Sequence, residues 1–102
     1  MFMKTWCELK ENDIFYKIRY HKRKKFLEIL RCKVLSVKNL TEKYTKITYN
    51  DGSCRYHNGW YYEYFESNIN TLQYKGCCTG ISTMFLTEFN EDIVTKFENS
   101  FK

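Results

Sequence analysis

Residues 14–21 alternate strictly. Ile14, Tyr16, Ile18 and Tyr20 share one side of an extended chain, and Phe15, Lys17, Arg19 and His21 the other. A period of two is a strand signature, and it predicts that the first set faces inward beneath a mostly cationic outer face. Lys22-Arg23-Lys24-Lys25 follows as a charged hairpin tip. Residues 26–38 fit two periods. Leu27, Leu30, Val34 and Val37 suit a helix, whereas Leu30, Cys32 and Val34 alternate, with Leu35 and Val37 resuming on the opposite parity. Flanking strands favour the second reading, one long strand bent at a bulge. Over residues 43–50, Thr45, Ile47 and Tyr49 oppose Tyr44, Lys46 and Thr48. Asp51-Gly52 signals a tight turn into a return strand from Ser53 to His57, and Asn58-Gly59 repeats the signal before a strand at Trp60. In that strand Tyr61, Glu63 and Phe65 alternate with Trp60, Tyr62 and Tyr64. Residues 66–80 are polar, contain Gly76 and Gly80, and read as a loop with one short strand over 71–74.

The period then changes. Phe89, Ile93, Phe97 and Phe101 recur every four residues, with Val94 beside them. Thr87 is the expected N-cap, and Glu88, Glu91 and Asp92 complement the positive end of a helix over about 88–99. Four or five short antiparallel strands and one terminal helix make a mainly β chain of the α+β class. The whole of residues 1–102 is expected to be one domain, with a barrel over about 9–75 closed by the helix.

Three segments carry a family likeness: Leu9-Lys10-Glu11-Asn12-Asp13-Ile14-Phe15-Tyr16-Lys17-Ile18, the run from Ile29 to Val37, and Ile47-Thr48-Tyr49-Asn50-Asp51-Gly52-Ser53. Together they resemble small SH3-like barrels of the KOW and Tudor type, including those of phage and low-GC bacterial genomes. Met84-Phe85-Leu86-Thr87-Glu88 is similar to the phrase that opens the final helix of several of them. The likeness spans roughly residues 9–65 and 82–98. It departs at the dense aromatic block 60–65 and at the cysteine-containing loop 66–80. The resemblance implies an SH3-like barrel and a binding module for nucleic acid or protein segments, and it carries over no catalytic residue.

Composition shifts the emphasis to aromatics and charge. Nine Tyr and eight Phe supply much of the apolar area, and Ala and Pro are absent. That usage points to an AT-rich genome, as in low-GC bacteria and their phages. Residues 1–50 hold 13 Lys and Arg against 5 Asp and Glu, a net +8, while residues 51–102 hold 4 against 7, a net −3. Lys17, Arg19, Lys22, Arg23, Lys24 and Lys25 lie close together, and pairing across the tip is expected to add Arg31 and Lys33 to one cationic ribbon. Such a ribbon suits a phosphate backbone or an acidic protein surface. A solvated solubilising hairpin is the plain alternative. Trp60, Tyr62 and Tyr64 form a second candidate surface, either exposed for a partner or covered by Phe89, Ile93 and Phe97 of the helix.

Catalytic and metal chemistry find little footing. Cys54-Arg55-Tyr56-His57 and Cys77-Cys78 have the residue types of a zinc site, but adjacent cysteines are poor geometry for one ligand pair. Cys54 and His57 fall on opposite faces of a strand, and Glu63 with Glu66 has no acid–base setting. No metal or other cofactor is expected, and free thiols are, with Cys32 a small core residue beside Cys7, Cys54, Cys77 and Cys78. The N-terminal residues lack an export signal, and no apolar run reaches the roughly 18–20 residues of a membrane span, so a cytoplasmic location without a membrane partner is expected. The expectation is a non-enzymatic basic binding protein, phage or mobile-element encoded. It would inhibit or modulate a nucleic-acid-handling machine, as anti-CRISPR proteins do, by docking the cationic hairpin on an acidic or nucleoprotein surface. A direct DNA- or RNA-binding regulator and a self-associating assembly protein, such as a homodimer, remain the alternatives.

Overall fold

The computed structural model describes residues 3–52, 60–75 and 80–102. A 3-10 turn η1 (Trp6–Glu8) precedes six strands: β1 (Ile14–His21), β2 (Phe26–Asn39), β3 (Tyr44–Asn50), β4 (Tyr61–Glu66), β5 (Thr71–Lys75) and β6 (Ile81–Leu86). The helix α1 (Glu91–Asn99) follows them. All strands lie in one antiparallel sheet ordered β4-β3-β2-β1-β6-β5. Every neighbouring pair of a six-membered ring is therefore present except β4 with β5. Those two edges are nonetheless consecutive in the chain, joined by residues 67–70 alone. The short joint holds the edges near each other, and the sheet curls into a half-barrel with a seam.

The mainly β chain with a C-terminal helix stands as expected, but its strand count and its closure differ. The additional strand is β6, whose side chains are buried on both parities: Phe85 on the inner face, Ser82, Met84 and Leu86 on the outer. Such a strand has no polar–apolar alternation to reveal it. The return strand expected over residues 53–57 lies outside the described residues, as does Asn58-Gly59; Gly52 does adopt the left-handed conformation its turn predicts, at φ 74°.

The inner core gathers Trp6, Leu9, Phe15, Cys32, Val34, Ile47, Tyr49, Phe65 and Phe85. Trp6 occupies the seam. Its ring stacks on Phe65 of β4 at 3.8 Å between centroids and meets Phe15 edge-on at 5.5 Å. Its indole N–H donates to the Thr71 carbonyl of β5 at 3.3 Å, and its backbone N–H donates to Ile69 at 2.9 Å. One side chain thus spans both unpaired edges. The Thr5 hydroxyl and backbone N–H donate to the Glu8 carboxylate at 2.8 and 3.1 Å, which fixes η1 and holds that carboxyl below its usual range.

The helix does not close the barrel. It covers the outer face of β1 and β6, where Val94 and Phe97 pack with Ile18, Tyr20, Met84 and Leu86. Those even-numbered side chains need cover because the curl turns them away from the inner core. The N-cap is Asn90 rather than Thr87: its side chain accepts from the Ile93 N–H at 3.1 Å. Thr87 is buried, and its hydroxyl donates to the Lys4 carbonyl. Phe89 lies before the helix and meets Tyr16 edge-on at 5.6 Å. No helix among the described residues is long and apolar enough to cross a membrane.

Candidate functional site

The β1–β2 hairpin pairs odd positions of one strand with even positions of the other: Phe15 with Cys32, Lys17 with Leu30, Arg19 with Glu28 and His21 with Phe26. Phe15 and Cys32 belong to the inner core, so this set, including Lys17 and Arg19, is on the inner face. The cationic outer face expected of β1 is therefore inverted. Lys17 is 13% exposed and bonds Asp51, itself 1% exposed, at 3.2 Å. Its ammonium also lies 5.0 Å from the Tyr61 ring centroid and 5.6 Å from that of Tyr49. Arg19 donates through Nε to Glu28 at 2.7 Å, and His21 Nε2 lies 3.1 Å from the same carboxylate oxygen. Partial burial pushes the Glu28 carboxyl up, but the hydrogen bonds from His21 and Arg19 outweigh it and hold the group below 4.5. The Phe26 ring stacks on His21 at 4.1 Å.

Arg31 and Lys33 sit across from Tyr16 and Ile14, on the outer face. They cannot extend a ribbon that includes Arg19, because the register places them on the other side of the sheet. The expected cationic ribbon is thus divided in three: Lys17 and Arg19 neutralised inside, residues 22–25 at the tip, and Arg31 with Lys33 outside.

At the tip Lys22, Arg23, Lys24 and Lys25 are all exposed. The turn is anchored: the Lys22 N–H donates to Gly80 at 2.9 Å and the Lys25 N–H to His21 at 2.7 Å. Lys25 closes it in the left-handed region at φ 55°. Gly80, at φ 69°, takes the left-handed conformation that glycine adopts without strain, and the Arg23 side chain passes beside it, with Cγ and Nε 3.7 Å from where a Cβ would sit, an ordinary contact. None of the four has a carboxylate within ion-pairing distance among the described residues.

Among the described residues, no element covers the outer face of β2, β3 and β4. A register shift between Val34 and Ser36 marks Leu35 as the bulged residue, as the parity change predicts. Beyond the bulge two cross-strand rows form, Lys38 with Lys46 and Tyr64, and Ser36 with Thr48 and Tyr62. Tyr62 and Tyr64 are 52% and 47% exposed, and Trp60 is exposed beside them. The helix covers the other half of this face, so the alternative in which Phe89, Ile93 and Phe97 cover the tyrosines does not apply. Lys46 Nζ is 4.5 Å from the Tyr62 ring centroid and 6.0 Å from that of Tyr64, and the two rings meet edge-on at 5.8 Å. Sequence reasoning places Lys46 opposite the Thr45, Ile47 and Tyr49 face but misses Lys38, because the bulge alone brings Lys38 to this side.

Burial pushes the Cys32 thiol up to about 12. Cys7 is half-buried, with its sulfur 3.4 Å from the Thr5 hydroxyl. Cys54, His57, Cys77 and Cys78 lie outside the described residues. Among the described residues no three His, Cys, Asp or Glu side chains gather as a metal site. Comparison with protein-family models, curated proteins and solved structures yields no match to this chain.

Proposed function

We propose that this chain is a non-enzymatic binding module that docks the β1–β2 tip on an anionic macromolecular surface. The surface would be of the kind a nucleic-acid-handling assembly presents, and docking would modulate that assembly. One observation carries the reading: four consecutive exposed cations stand on an anchored turn without carboxylate partners among the described residues. Inside the sheet, by contrast, Lys17 and Arg19 are each matched to an acid. Unmatched charge at a fixed protrusion steers encounter with an opposite field. Among the described residues, Cys32 and His21 are quenched rather than poised: burial keeps the Cys32 thiol protonated, and His21 is tied to Glu28. The SH3-like likeness belongs to the same proposal, supported by the curled antiparallel sheet and the terminal helix.

The test uses heparin as a polyanion probe, by titration calorimetry across a salt series. Reversing Arg23, Lys24 and Lys25 to Glu should weaken binding at least tenfold and reduce the slope of log K against log salt by about three. Because the three side chains are exposed, the thermal midpoint should be retained. Unchanged affinity and slope would reduce the tip to a solubilising turn.

A further inference from the structure

We infer that the open outer face of β2–β4 is a binding platform for single-stranded nucleic acid, a second surface distinct from the tip. Tyr62 and Tyr64 stand on the sheet with about half of each side chain in water, and Lys46 lies between their rings. Lys38 sits directly across from Lys46, which is itself across from Tyr64. Like charges facing each other across strands are destabilising, and among the described residues no carboxylate lies within ion-pairing distance of either lysine, Glu66 standing on the same face one pair beyond Tyr64. A bound anion relieves that repulsion. Arg31 and Lys33 continue the charge along β2 on the same side. From Arg31 to Lys38 the strand covers about 23 Å, room for a site of about four nucleotides, the low end for such surfaces.

The two ingredients select the ligand class. Phosphates answer the four cations, and unpaired bases answer the exposed rings, because base–aromatic stacking needs a free π face. A duplex offers phosphates but buries its base faces. A second copy of this chain would bring Lys38 and Lys46 against the same cations, which charge disfavours. An acidic protein pairs its charges with flat rings only sporadically, whereas every nucleotide couples one phosphate to one base.

The probe is fluorescein-labelled oligothymidylate, read by anisotropy at low salt beside a duplex of the same length. Tyr62→Ala with Tyr64→Ala should weaken the single strand at least tenfold and leave duplex binding unchanged. Lys38→Gln with Lys46→Gln should weaken the single strand and lower its salt slope by about two. These side chains are exposed or half-exposed, and an unchanged thermal midpoint certifies the fold. The glutamate tip variant should keep the tyrosine-dependent part of oligothymidylate binding. Loss of heparin binding in that variant with stacking retained separates this surface from the tip, so either reading can fail alone. No binding of oligothymidylate at low salt, or binding indifferent to both tyrosines, overturns the inference. So does a dimer in light scattering that Tyr62→Asp dissolves and that excludes the oligonucleotide.

Discussion

Cys32 shows what the interior does to a single side chain. It lies fully buried across from Phe15, and desolvation raises its thiol from the ordinary 9.0 to about 12, with the Lys17 ammonium pulling weakly the other way. A raised value in the fold means the unfolded chain loses its proton first. The associated stability is complete below pH 9 and drains away as the pH climbs toward 12. Compared with Cys32→Val, the native protein should lose about 2 kcal/mol by pH 10.5, measured by urea denaturation at pH 8, 9.5 and 10.5. Parallel curves for the two proteins would show that the thiol ionises freely. The core role of Cys32 is legible in its apolar neighbours Leu30 and Val34. The environment of Lys17 is not, because Asp51 is 34 positions away and only the curl brings it within reach.

Among the elements, the β1–β2 hairpin is the most informative. Alternation in β1 correctly separates two sets of side chains, yet it cannot say which set is covered. Here both are: Phe15 by the inner core, Ile18 and Tyr20 by α1. That is why the cationic set turned out to line the concavity. The bulge at Leu35 was legible, since a one-residue insertion inverts parity by geometry alone. β6 was not, since burial on both sides erases the period. The hairpin also carries a pH signature. Glu28 is held below 4.5 by His21 and Arg19, so its contribution to stability is present above that value and is lost as acid protonates it. Glu28→Gln should flatten the fall in melting temperature between pH 5 and pH 3 relative to the native chain. An equally steep fall would place the acid-sensitive group elsewhere.

At the scale of the molecule, charge and cover divide the surface. The helix takes one half of the outer face, leaving the other half to the lysines and tyrosines, and the tip projects its cations from an anchored turn. The N-terminal half's excess of positive charge was plain in the sequence, but its partition among interior, tip and outer face depended on register. Trp6 gave no periodic signal, since only it and Phe2 are aromatic before the first strand, yet it holds β4 and β5 together. Trp6→Ala should cost about 3–5 kcal/mol in chemical denaturation. Hydrogen exchange in that variant should accelerate first in β4 and β5, with β1 and β2 slowest; uniform acceleration would contradict a localised joint. A split ring has a particular kind of give. Because no ladder bonds cross its gap, it can swing ajar on its remaining five pairings without breaking a rung, so the cheapest route from solvent to the aromatic interior passes through the N-terminal latch rather than through global unfolding.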